Sequence, residues 1–218
     1  SDPEVVGMSD VADNSLRREA TLRLIEKFRR HELTSTQLTW DQLPLTGLEY
    51  PSAREDLKPA LKERADGNED VLEFAIKLVE TWRLTSLYED LADLFLDPSA
   101  PLHPRISAGY VLRRNAPREI RRRLRPLVKG SPEDPDLELK GLALQCCWPN
   151  DLSCEEMLDI LTPWQGGLCG AYLEFFYELD RKGFDAPGCR IKALVWFKNS
   201  LRAGRELPPI NKCMQRIA

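Results

Sequence analysis

Leu16, Ala20, Leu24 and Phe28 return at intervals of four residues, with Ile25 beside them, and comparable three-to-four spacing runs through most of the chain. A period near 3.6 places such residues on one face of a helix, and each face must be buried against another element. Sustained apolar–polar alternation is absent, as are Asn-Gly or Asp-Gly turns between β-branched runs. The chain is therefore expected to be all-α. Pro, Gly and Asp punctuate the pattern and predict helices near 52–65, 69–82, 84–96, 102–114, 117–129, 136–148, 153–161, 168–181 and 187–203, with a short one towards the C-terminus.

Ahead of these lie a polar leading segment, 1–13, expected to be a flexible linker, and a first helix capped by Asn14 or Ser15. The stretch from Thr34 to Pro51 reads as an ordered connector, because Trp40, Leu43, Leu45 and Leu48 are too apolar to remain in water. The expected organisation is 1–13, then 14–51 as helix and connector, then 52–218 as a helical-repeat domain. The start, Ser1-Asp2-Pro3-Glu4, has neither Met nor a signal-peptide pattern and is read as a cut site within a longer protein.

A weak repeat sharpens the fold expectation. Ala75, Ala108 and Ala143 follow one another at near-equal steps, and Arg105 and Lys140 each stand three residues before their alanine. An amphipathic segment precedes each unit: Leu57 to Leu61, Leu91 to Leu96, Ile120 to Leu127. Helical hairpins of this length stack because neither helix can bury its apolar face alone. The expectation is HEAT-like stacked hairpins forming an α-solenoid, with an irregular helical bundle as the alternative. The small alanines let helices approach, and the cations are expected along the turn ridge.

Composition narrows the class. Hydrophobic residues make up 42% and charged residues 30%, which suits a folded, water-soluble chain, and the net charge of -4 is too small for a generic polyanion binder. No run of about 18 apolar residues occurs, so no membrane span is expected. Cys146, Cys147, Cys154, Cys169, Cys189 and Cys213 form no Cys-x-x-Cys pair. They are expected to be reduced, acting as small hydrophobes in a cytoplasmic protein.

Templates for catalysis go unmatched. There is no G-x-x-x-x-G-K-[ST] phosphate loop, no G-x-S-x-G elbow and no H-E-x-x-H, and Gly166-Gly167 lacks the Lys and the strand–helix setting of a phosphate site. His31 and His103 are the only histidines, and His103, between Leu102 and Pro104, reads as a helix-start residue. Glu89, Asp90, Asp93 and Asp97 share a helix and are expected to form a solvated face rather than a cation site. Glu133-Asp134-Pro135-Asp136 reads as a turn into a helix N-cap. No cofactor and no catalytic residue are expected.

One charge feature stands out. Arg113, Arg114, Arg118, Arg121, Arg122, Arg123, Arg125 and Lys129 place eight cations within seventeen residues, opposite Ile120, Leu124, Leu127 and Val128. Arg118, Arg122, Arg125 and Lys129 share a helical face. The ridge is a candidate partner-binding surface for an acidic protein or another domain of the same protein, or for nucleic acid phosphates. It lacks interleaved aromatics for base stacking, and it could equally be neutralised by the acidic helix at 89–97. Trp148, Trp164, Tyr172, Phe175, Phe176, Tyr177, Trp196 and Phe197 gather late in the chain, and Tyr172, Phe175, Phe176 and Leu179 have core spacing.

One series of residues resembles a known family. Asp134-Pro135-Asp136, Glu138-Leu139-Lys140-Gly141, Ala143-Leu144 and Trp148-Pro149 lead to Leu152-Ser153, Glu155-Glu156, Leu161-Thr162-Pro163, Gly170-Ala171-Tyr172 and Phe175 to Leu179. Their order is similar to that in the helical-repeat region behind the nucleotide-binding module of bacterial NACHT-type STAND NTPases, over about Leu91 to Leu201. The resemblance implies a regulatory arm in a signalling switch associated with defence against phage. It transfers no nucleotide ligands, because no Walker motif is present. A free-standing HEAT-like adaptor, or a nucleic-acid-binding module using the basic ridge, are the alternatives.

Overall fold

The computed structural model describes residues 13–34, 45–63, 69–162, 170–182 and 187–202, and among them every regular element is helical. The α-helices are α1 (Asn14–Arg29), α2 (Ala53–Ala60), α3 (Glu69–Thr81), α4 (Tyr88–Leu96), α5 (Leu102–Asn115), α6 (Arg118–Arg122), α7 (Glu138–Cys147), α8 (Cys154–Ile160), α9 (Ala171–Lys182) and α10 (Pro187–Arg202). Short 3-10 turns occupy Leu45–Leu48, Thr85–Leu87 and Arg125–Lys129. The chain divides into two compact units between Ala116 and Pro117. Trp40, Leu43, Trp164, the Gly166-Gly167 pair, Cys169, Cys213 and the expected last short helix fall outside the described residues.

Helix boundaries depart from the periodic pattern where backbone chemistry intervenes. The cap of α1 is Asp13, one residue before the expected position, and its carboxylate accepts the Ser15 N–H at 2.8 Å. The helix expected over 117–129 ends at Arg122 and resumes as a 3-10 turn at Arg125. Pro126 is the cause: it has no N–H to donate, and its ring would meet the carbonyl of Arg122. Leu137 takes a left-handed backbone, φ 60°, and delays α7 to Glu138.

The first unit is built around α3, whose Val71, Leu72, Phe74, Ala75, Ile76, Leu78 and Val79 are all buried. Helices α1 and α5 both pack on it. Phe28 of α1 stacks on Phe74 with ring centroids 4.7 Å apart. The connector is pinned as expected at Leu45 and Leu48, both buried, and Trp82 Nε1 donates to the Leu45 carbonyl at 2.7 Å. Tyr50 meets Trp82 edge-on and donates its hydroxyl to Asp56, which also receives both guanidinium arms of Arg18 at 2.7 and 2.9 Å.

Two expectations about charge are corrected in this unit. Asp90 does not lie on a solvated face: it is buried, and Lys58 and Lys62 approach it at 3.4 and 3.8 Å. Arg105 does not lie along a turn ridge. It is 1% exposed, and its Nε donates to the Phe95 carbonyl at the end of α4 at 3.1 Å. A cation that reaches the last carbonyls of a helix satisfies groups with no intrahelical donor and meets the negative end of the helix dipole.

In the second unit α7 packs on α9, on α6 and on the 3-10 turn at Arg125–Lys129, and α8 packs with α10. Cys146 and Cys147 are buried and outside any disulfide, in line with their reading as small hydrophobes, and burial pushes the Cys147 thiol up to about 11. Cys154 and Cys189 overturn the expectation of uniformly reduced cysteines: they form a disulfide across 35 residues, with Cα atoms 5.6 Å apart. Sequence spacing could not show it, because the pair is made by the meeting of α8 and α10. Among the described residues no helix is long and apolar enough to cross a membrane.

The unit built on α3 yields a direct test. Phe28→Ala is expected to cost about 3–5 kcal/mol by leaving a cavity against Phe74. Leu16→Ala, at a residue 48% exposed, is expected to shift stability by less than about 0.5 kcal/mol. Urea denaturation of the two variants beside the parent chain measures both.

Candidate functional site

Glu138, Gly141 and Gln145 stand at helical spacing on α7 and face the start of α9. Gly141 matters for what it lacks. A Cβ there would fall within the backbone of Ala171 and Tyr172, so the missing side chain is what lets the two helices meet. Gly170, at φ 126°, brings the chain into α9, and a Cβ on it would collide with the Glu138 carboxylate. That carboxylate accepts the Ala171 N–H through its two oxygens at 3.1 and 3.0 Å, while Gln145 Nε2 donates to the Ala171 carbonyl. Glu138 thus supplies the cap of α9 from another helix, placing negative charge at the N-terminal end of the dipole.

Lys140, beside them, is 2% exposed. Its Nζ donates to the Ile160 carbonyl at 2.7 Å and to Thr162 Oγ1 at 3.1 Å, closing the C-terminal end of α8. It also lies over the Tyr172 ring, 5.3 Å from the centroid. The Tyr172 hydroxyl donates to the Thr162 carbonyl at 2.6 Å and accepts the Thr162 N–H at 2.9 Å. Asp134 Oδ2 accepts the Lys140 N–H at 3.0 Å, so Asp134 caps α7 from beyond the turn, where the cap position itself is held by Leu137. Burial lowers the Lys140 pKa, and the Asp134 charge opposes that shift.

Asp134, Glu138, Lys140, Gly141, Thr162, Gly170, Ala171 and Tyr172, scattered along the sequence, therefore meet at one junction of α7, α8 and α9. Lys140, like Arg105, corrects the expected ridge position, and both cations close the end of a neighbouring helix. The three repeat alanines, Ala75, Ala108 and Ala143, are each fully buried, as close helix approach requires. Every polar contact described in the junction ends on backbone or on another junction residue. Among the described residues no group of His, Cys, Asp or Glu is placed to hold a metal.

The basic ridge falls on both units. On α5, Arg114 pairs with Glu80 at 2.9 Å and lies over the Tyr110 ring, and Arg113 is half-buried. In the second unit Arg118 grips Asp151 with two arms, at 3.0 and 3.2 Å, and donates to the Asn150 carbonyl at 2.7 Å. Arg122 reaches the same carboxylate at 4.0 Å, and Arg125 pairs with Glu156. For these three the described acidic partners are Asp151 and Glu156. Arg121 is half-buried, with an Nε that has no hydrogen-bond partner. Lys129 is exposed and edges a groove of about 570 Å³ formed with Arg125, Pro126, Val128, Leu152, Glu156, Asp159 and Ile160.

Sequence reasoning identified the ridge cations but missed Asp151, which organises two of them. Its side chain is only 5% exposed. The Arg118 guanidinium holds the Asp151 carboxyl below the usual carboxylate range, and the Ser153 backbone N–H does the same for Glu156 within the Ser153–Glu156 capping box. His103 sits in the first turn of α5, largely in solvent, with Nδ1 2.8 Å from Glu73. Ser107 Oγ donates to the same Glu73 oxygen at 3.0 Å, which makes a bridge between α5 and α3 rather than a nucleophile–base pair.

No family model matches the chain, and no curated protein or solved structure shows significant similarity to it. The junction and the ridge therefore stand on geometry alone.

Two measurements probe them. Gly141→Ala is expected to destabilise the second unit by about 3 kcal/mol, because backbone cannot yield as a side chain would. Lys140→Met, which keeps the stem, should cost less than Lys140→Ala in the same urea titrations. The second concerns pH. A carboxyl depressed in the folded state contributes stability above its unfolded value that is lost as pH falls through the folded one. Unfolding midpoints taken from about pH 5 to about pH 3 should therefore drop, and Asp151→Asn should flatten that drop.

Proposed function

We propose that this chain is a non-catalytic helical-repeat arm of a larger signalling NTPase, with HEAT-like stacking of its hairpins, acting through intramolecular or protein–protein contacts in bacterial defence. The observation that carries the reading is the junction of α7, α8 and α9. Several of the residues on which the resemblance to NACHT-type STAND NTPases rests meet there, and the side chains of Glu138, Lys140 and Tyr172 join one element to another. Residues with that employment transmit position; they do not bind a nucleotide. The packing of α3 on α1 and α5, and of α7 on α9, also fits a stack in which each helix meets near neighbours in sequence. A switch needs such an element, able to carry a displacement between two sites without dissipating it.

The test uses the intact gene product in which this chain occurs. Nucleotide hydrolysis is followed for the wild type and for Gly141→Ala, with calorimetry to show that the nucleotide-binding module still melts as a unit. The arm reading expects hydrolysis by the wild type and a change of about fivefold or more in the variant, the scale of ordinary allosteric coupling. An intact product that hydrolyses no nucleotide, or a variant indistinguishable from wild type, overturns it.

The adaptor and nucleic-acid readings depend on exposed ridge cations such as Arg122 and Lys129. Titration of duplex and single-stranded oligonucleotides at several salt concentrations separates them. Phosphate binding would weaken steeply as salt rises and would be lost in Arg122→Glu/Lys129→Glu. The arm reading expects no binding at about 0.15 M salt.

A further inference from the structure

Cys154 is the first residue of α8, Cys189 the third of α10, and their bond joins two helices that pack together. On α10 the described buried positions are Cys189 and Ala193, Leu194 and Trp196 are half-buried, and Ile191 and Val195 are 67% and 54% exposed. Lys192 pairs with Glu155 of α8, but both side chains are about half in solvent, and such pairs contribute little. Among the described residues, the disulfide is the covalent tie on this helix of 16 residues. Helix α8, by contrast, is held at both ends without the disulfide. Ser153 and Glu156 close its start, and Lys140 closes its last carbonyl. Opening the bond removes a tie on α10 and leaves both ends of α8 closed.

We propose that Cys154–Cys189 is a thiol-exchange site that holds or frees α10, with a low-molecular-weight monothiol of the glutathione type as its reaction partner. Cys154 is half-exposed and Cys189 is 4% exposed, so access directs the incoming thiolate to Cys154 Sγ. A bond forms between the two sulfurs, the Cys154–Cys189 bond breaks, and Cys189 departs as a thiolate that then takes up a proton. Its place in the first turn of α10 favours that thiolate. A second monothiol attacks the small-molecule sulfur of the mixed disulfide, Cys154 leaves as a thiolate and is protonated, and the two monothiols end as their disulfide. Two electrons have passed to the protein, and the two protons released by the monothiols reside on its cysteines. The inference stands independently of the arm reading, since it concerns α8 and α10 alone.

The test incubates the intact chain across ratios of reduced to oxidised glutathione, traps free thiols with a maleimide and maps them by mass. Parallel samples receive trypsin, and cleavage is followed at Arg190, Lys192 and Lys198 of α10 and at Lys140 of α7. The expected result is opening of Cys154–Cys189 at millimolar reduced glutathione, with cleavage in α10 rising about tenfold as its protected state is lost and cleavage at Lys140 unchanged. Cys189→Ser should show the fast α10 cleavage without any reductant. A bond that survives millimolar glutathione overturns the proposal in favour of a permanent staple. Equal α10 cleavage in the bonded and opened states overturns it by showing that the bond holds nothing.

Discussion

A missing side chain brings α7 and α9 together, and much of the second unit follows from it. With Gly141 against the backbone of Ala171 and Tyr172, the start of α9 lies directly on α7. Its first N–H must find an acceptor on α7, and Glu138 provides one. The same closeness encloses Lys140, whose charge can be kept only if its protons reach oxygen atoms. They do so at the end of α8, where Ile160 would otherwise present an unpaired carbonyl. Two helix termini are thus satisfied by side chains from α7. The arrangement is cooperative, because withdrawing any one helix leaves buried polar groups on the others.

The two buried cations show one solution used in both units. Arg105 closes α4 and Lys140 closes α8, each from a position three residues before a buried alanine. The target differs, since Arg105 reaches back to the preceding helix and Lys140 reaches forward to the following one. The repeat is therefore a repeat of function within the packing, a cation closing a helix end beside a small residue, more than a repeat of contacts. It also explains why a ridge so rich in arginine need not be an interface. Asp151 and Glu156 neutralise much of it locally, and Arg118 holds the segment leading into α8 through Asp151 and the Asn150 carbonyl.

The charge reading illustrates how far sequence could go. Eight cations in seventeen residues are visible in the sequence, but their partners lie about thirty residues away, beyond any helical spacing rule. The same holds for the cysteines. Cys154 and Cys189 have no motif, because a disulfide depends on Cα separation in space and not on position along the chain. The motif series from Asp134 to Tyr172 was recognisable as a pattern, yet its physical content, a set of caps exchanged between helices, was hidden until the helices were placed.

The sequence by itself determined that the chain is helical, where most helices lie and which faces they bury, because helical periodicity and Pro or Gly punctuation are local properties of the backbone. It also marked Phe28, Ala75, Ala108, Ala143, Tyr172 and Phe175 as buried, since apolar spacing within a helix reports its inner face. Tertiary structure alone decided that Arg105 and Lys140 are interior, that Asp90 is buried beside two lysines, and that two cysteines are joined. Each of these depends on which helix ends and side chains meet across space. The physical reason is the same throughout: a charged or polar group goes inside only where a partner from another element awaits it, and such partners are fixed by packing.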